Sequence, residues 1–217
     1  MWLIICVLLF PSAIFALNEL PITDANIPLS PSYQTLAVII IGIIALILLI
    51  FTYPVPVAGP ILAKLSLLPV LEEVIFRFIF FFGFLIQLIH CPDYVSLAVS
   101  AVIFAVLHLF IPPGPISGAP PGFQVGEALF VGTFNGLMLI NLMRIYLIGN
   151  LTLMIYLWLF HIMVNIFFVL FNLVVNFILG GNPLIHAIPR LTLGSMAAIL
   201  LIYCWINQTV DFPEIFG

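Results

Sequence analysis

Long apolar segments separated by short connections constrain the fold of this chain more than any other feature. The segments cover residues 34–53, 67–89, 94–111, 125–143, 147–172 and 191–207. An α-helix needs about 20 apolar residues to cross a bilayer. The pattern predicts an all-α, polytopic transmembrane bundle of about six to eight membrane helices. A transmembrane β-barrel is disfavoured, because its strands would alternate apolar and polar residues.

The composition excludes a soluble protein. Only 6% of the residues are charged and 65% are hydrophobic, whereas soluble domains carry about 25% charged residues. Nucleic-acid binding is disfavoured, since the chain has four Lys and Arg residues and a net charge of -4. The three cysteines match neither a disulfide framework nor a zinc-ligand spacing, and we expect them to pack as small hydrophobes.

One membrane domain is predicted over residues 34–207. Residues 1–17 are apolar but short, and they fit either a signal peptide or a first transmembrane helix. Residues 18–33 are polar and proline-bearing, as in an extracytosolic linker, and residues 208–217 form a short tail. The positive-inside rule puts loops 54–66 and 179–190 in the cytosol. The expected location is a bacterial inner membrane or the endoplasmic reticulum.

Three charged residues crowd into one apolar segment, where each is a functional hypothesis by default. Glu73 and Arg77 are four residues apart, so they can pair on one helix face, while Glu72 faces elsewhere in the bundle. Two adjacent buried carboxylates cannot both ionise cheaply, so one is expected to hold a proton or face a cation. The alternative is a structural ion pair that locks helix packing.

Two further segments carry buried polar side chains. His108 shares a helix face with Phe104, and His161 shares one with Asn165. With Glu72, these side chains would form a pocket that activates water and stabilises an oxyanion. They could equally bind a divalent metal such as zinc through Glu72, His108 and His161. Interhelical hydrogen bonding without catalysis is the simpler interpretation of each histidine.

Helix depth supports this convergence only in part. Glu72 and His108 lie about 7.5 and 4.5 Å from the cytosolic ends of their segments. His161 lies deeper, about 16 Å from an end at residue 172. Outside the pocket, Glu127 is predicted to sit at a solvated helix N-terminus and His186 at the membrane interface.

Three motifs in order resemble those of the CAAX protease and bacteriocin-processing (Abi) family of intramembrane proteases. They are Glu72-Glu73-Val-Ile-Phe-Arg77, Phe104-Ala-Val-Leu-His108 and His161-Ile-Met-Val-Asn165. The resemblance covers roughly residues 60–170.

The resemblance implies an intramembrane endopeptidase, and the orientation from the positive-inside rule puts its active site near the cytosolic face. Glu72 and His108 would activate the hydrolytic water, and His161 and Asn165 would stabilise the oxyanion. Glu73, Arg77 and Phe104 would support the site. Substrates would be membrane-embedded or lipidated peptides, including prenylated CAAX proteins, and the cofactor would be a divalent metal or none. A non-catalytic immunity or scaffold protein on the same fold and a proton-coupled transporter are the alternatives.

Overall fold

Every regular element that the computed structural model describes is helical. The described residues are 31–55, 59, 62–110, 122–144, 150–179 and 182–216. The all-α prediction is therefore confirmed over these ranges. The predicted signal peptide or first helix, 1–17, lies outside the described residues, as does nearly all of the 18–33 linker.

Long helices make up most of the described chain. They are α1 (Pro31–Thr52), α2 (Leu68–Glu73), α3 (Asp93–Leu107), α4 (Gln124–Arg144), α5 (Asn150–Leu179), α6 (Pro183–Asn207) and the short α7 (Phe212–Phe216). Two π-helical segments, Ala63–Leu67 and Val74–Leu88, continue α2 in both directions. We call this unbroken stretch the 63–88 helix.

Three of the described helices are long and apolar enough to cross a membrane. They cover Gln124–Met143, Thr152–Ile178 and Pro183–Asn207, and two shorter apolar helices cover Leu36–Thr52 and Asp93–Leu107. These lengths and compositions favour association with a membrane.

The loop predicted over 179–190 is wrong for most of its length. Helix α6 begins at Pro183, where the ring fixes φ and the missing N–H would be unpaired anyway. The Asn182 side-chain oxygen caps this end by accepting from the Leu184 N–H at 3.0 Å. Arg190 therefore lies inside a helix. Helix α5 likewise runs on to Leu179 without ending at Asn172.

The 63–88 helix changes its winding on both sides of the paired glutamates. Pro69 has no N–H to donate, and the wider π-helical turns of Ala63–Leu67 end just before it. A second π-helical segment starts at Val74, directly after Glu73. Wide turns of this kind occur often at functional sites.

A close helix crossing joins α4 to α6. A Cβ atom on Gly126 would overlap the Arg190 carbonyl oxygen, and one on Gly194 would lie 2.7 Å from the Gly126 Cα. Only glycine permits the two backbones to approach this closely. The crossing sets Glu127 beside Arg190.

Candidate active site

His161 on α5 lies between the two glutamates of the 63–88 helix. Its Nδ1 is 2.7 Å from Glu73 Oε1, and its Nε2 is 3.5 Å from Glu72 Oε2. All three side chains are buried. The predicted convergence of the Glu-Glu motif with His161 is therefore observed, although helix depth had set His161 apart.

The geometry fixes where protons can lie. A carboxylate only accepts, so the His161 Nδ1–H donates to Glu73. In a neutral imidazole Nε2 would then be an acceptor facing another acceptor, the Glu72 carboxylate. This contact is favourable only with a proton on Glu72 or on Nε2. Glu72 and His161 are thus in ion-pair contact at 3.5 Å, without a hydrogen bond between them in this structure.

Arg77 balances the charge of Glu73. Its Nε lies 3.4 Å from Glu73 Oε2, both residues are fully buried, and the pair has the predicted spacing of four residues. The guanidinium also donates to the Ser100 hydroxyl at 3.4 Å and stands 4.8 Å from the centre of the Phe104 ring. Glu72 makes its ion-pair contact with His161.

The Phe104 ring packs against the rings of both His108 and His161. Its ring centre lies 4.6 Å from that of His108 and 6.2 Å from that of His161, in edge-on arrangements. The His108 Nδ1–H donates to the Phe104 carbonyl at 2.8 Å. That bond leaves the His108 Nε2 as the ring nitrogen available for chemistry.

Asn165 is tied to the main chain of the facing helix. Its amide donates to the Lys64 carbonyl at 3.0 Å, and the Trp158 indole on the same helix donates to the Ser66 carbonyl at 3.2 Å. These contacts anchor α5 to the π-helical turn that precedes α2. In this arrangement Asn165 positions the helix, and its predicted role at an oxyanion stays a prediction.

The described side chains do not fit the three-ligand metal site that the sequence left open. Nowhere in the described ranges do three or more His, Cys, Asp or Glu side chains form a group that could hold a metal ion. We therefore assign no step to a metal on Glu72, His108 and His161.

A second buried charge cluster joins α4, α5 and α6, and the sequence did not predict it. The Arg190 Nε donates to Glu127 Oε2 at 3.2 Å, and its Nη1 donates to the His186 carbonyl at 2.7 Å. The guanidinium carbon stands 4.3 Å from the centre of the Phe168 ring. The solvated position predicted for Glu127 is wrong, because Arg190 draws it into the bundle.

His186 completes this second cluster. Its Nδ1 lies 2.9 Å from Asn172 Oδ1, and its Nε2 lies 3.2 Å from Asn176 Oδ1. His186 is fully buried within the protein, and its predicted position at the membrane interface stays a prediction. The sequence signal was present: Asn172 and Asn176 share one face of α5, while His186 and Arg190 share one face of α6.

Comparison of the chain with protein-family models, curated proteins and solved structures gives no match. The resemblance to the intramembrane proteases therefore stays a prediction that its three motifs carry.

Proposed function

We propose that the protein is a multi-pass membrane endopeptidase that hydrolyses a peptide bond of a membrane-embedded or lipidated substrate. The observation that carries the proposal is the His161 imidazole held between two buried carboxylates, Glu73 and Glu72. Buried ionisable clusters in apolar helices are costly and are typical of functional sites. This cluster contains an acid–base pair and not merely a neutralised ion pair.

The charge balance supports the assignment of roles. One positive guanidinium, Arg77, faces two glutamates, so the group is neutral overall when His161 is protonated and both carboxylates are ionised. In that state Glu72 is a carboxylate next to an imidazolium. This is the form in which a carboxylate can accept a proton from water.

The hydrolysis follows from this starting state. Glu72 accepts a proton from water as the water oxygen forms a bond to the carbonyl carbon. The positive His161 stabilises the negative charge on the carbonyl oxygen. As the carbon–nitrogen bond breaks, the proton held by Glu72 passes to the leaving amine. Glu73 acts by holding the imidazole, since its bond to Nδ1 directs Nε2 toward Glu72.

Purified protein in liposomes tests the proposal, with a prenylated CAAX peptide and an unmodified transmembrane peptide as substrates. We expect wild type to cleave at least one peptide, and Glu72→Gln to lose at least a hundredfold in rate, in the range typical of a general base. The control variant Glu214→Gln makes the same change from carboxylate to carboxamide at an exposed residue of the C-terminal segment, and it should leave the cleavage rate unchanged.

Each alternative gives a different result in this assay. Equal product from wild type and Glu72→Gln would contradict the role of Glu72. No product, with Glu72→Gln retaining the cellular phenotype, would favour a scaffold. Uptake that depends on a pH gradient, without cleavage, would favour a transporter. A chelator is included in parallel, and unchanged cleavage in its presence is expected.

A further inference from the structure

The inner face of α5 carries an unusual line of residues. At about 100° per residue, five positions fall within roughly an 80° arc of the helix; they are His161, Asn165, Phe168, Asn172 and Asn176. Four of the five are polar, and every other residue of α5 from Leu159 onward is apolar. The line extends over 15 residues, or about 22 Å.

The opposite face of α5 has the character expected next to lipid. Leu170, Leu173, Val174 and Phe177 are all more than half exposed, with Phe177 at 91%. The end of α5 and the start of α6 thus form a hairpin that is apolar outside and polar inside. In membrane proteins, polar side chains on an inner face meet other polar groups or a water-filled cavity.

The line begins at an exposed residue and ends at the candidate active site. Asn176 is exposed and contacts His186, which is buried together with Asn172 and Arg190. The single apolar member, Phe168, is buried and lies against the Arg190 guanidinium. Phe168 therefore separates the polar groups at the outer end from Asn165 and His161.

We propose that this face of α5 is a hydrated route from the Asn176 end of the helix to His161, closed in this structure by Phe168 beneath the Arg190 guanidinium. Its ligand is water. The route supplies the co-reactant of the hydrolysis proposed above, and in that respect it rests on the proposed function. Rotation of the Phe168 ring or displacement of Arg190 opens it.

Cysteine accessibility in sealed liposomes tests the route without any need for catalysis. Cys6, Cys91 and Cys204 are replaced by alanine, and single cysteines are introduced at positions 165, 174 and 176. A membrane-impermeant, charged methanethiosulfonate reagent is then added. The helix period places Val174 about 160° from Asn176, so Val174→Cys is the matched control at the same depth.

We expect the reagent to modify Asn176→Cys at least tenfold faster than Val174→Cys, although Val174 is 53% exposed in the protein alone. Asn165→Cys should react slowly. Adding Phe168→Ala should raise the rate at position 165 at least tenfold and leave position 174 unchanged. Phe168→Leu, which keeps most of the volume, should keep the rate at 165 low.

Two results would overturn the proposal. Equal rates at 174 and 176 would show that this end of α5 is uniformly solvated. An unchanged rate at 165 in Phe168→Ala would show that the Arg190 cluster is only a structural tie. Where Phe168→Ala alters elution in size-exclusion chromatography, Phe168→Val replaces it, with the same expected direction. Because no cleavage is measured, loss of the hydrolase proposal alone would leave these rates as expected.

Discussion

Replacing Arg77 by methionine should destabilise the protein strongly. Arg77 and Glu73 are both fully buried, so the substitution leaves the Glu73 carboxylate without its compensating charge. Breaking a buried pair on one side costs about 3–5 kcal/mol. Because about 1.4 kcal/mol corresponds to a factor of ten, the folding equilibrium constant should fall roughly a hundredfold to a few thousandfold.

The double variant Glu73→Gln/Arg77→Met separates the ion pair from general loss of packing. Removing both charges leaves no uncompensated ion, so its cost should be smaller than the sum of the two single costs by about 2 kcal/mol. Lys64→Met removes a cation from a half-exposed position and should cost less than about 1 kcal/mol.

Unfolding in mixed micelles with increasing sodium dodecyl sulfate measures these free energies. Trp158 is half-buried and bonded to the Ser66 carbonyl, so its fluorescence reports loss of contact between α5 and the 63–88 helix. A cost below about 1 kcal/mol for Arg77→Met, or strictly additive single costs, would refute the reasoning that the pair is a buried, coupled unit.

Two further predictions concern packing outside the site. Asn141 is fully buried, donates to the Val210 carbonyl and accepts from the Phe212 N–H, each at 2.7 Å. Asn141→Leu leaves the Val210 carbonyl and the Phe212 N–H unpaired, at a cost of about 1–3 kcal/mol each. Limited proteolysis should then cut the C-terminal segment faster, and an unchanged digestion rate would contradict this. Gly126→Ala places a methyl group against the Arg190 carbonyl and should lower the stability by about 1–3 kcal/mol. This loss should appear as a lower melting temperature in detergent. An unchanged melting temperature would show that α4 and α6 separate easily.

Local spacing predicted the parts of the site that lie on one helix. Glu73 and Arg77 pair because four residues bring side chains onto one face. The same rule indicated that Glu72 would face another element, and it does face His161 on α5. These inferences needed only the helical period and the cost of burying charge.

Contacts between helices depend on where each helix ends, and the helix ends were harder to predict than the contacts within one helix. The depth comparison assumed that the helices end at one level. In the structure Asn165 is level with Lys64, and α5 continues 14 residues further to Leu179. Measuring depth from residue 172 therefore separated His161 from Glu72, although the two side chains meet.

The second cluster was missed because the start of α6 was placed too late. The apolar segment was predicted to start at residue 191, but Pro183 is in the first helical position and follows the Asn182 cap. An Asn182 cap followed by Pro183 is a sequence pattern typical of the first turn of a helix. With α6 extended to Pro183, Arg190 becomes a charge within an apolar helix that requires a partner, and Glu127 is that partner.

Hydrolysis in water enriched with oxygen-18 tests most directly the claim that Glu72 and His161 activate water. Mass spectrometry of the peptide products from wild type should show one heavy oxygen in the new terminal carboxylate, and Glu72→Gln should form no labelled product above background. Labelled product forming at the same rate from both proteins would contradict the assignment of Glu72 as the base.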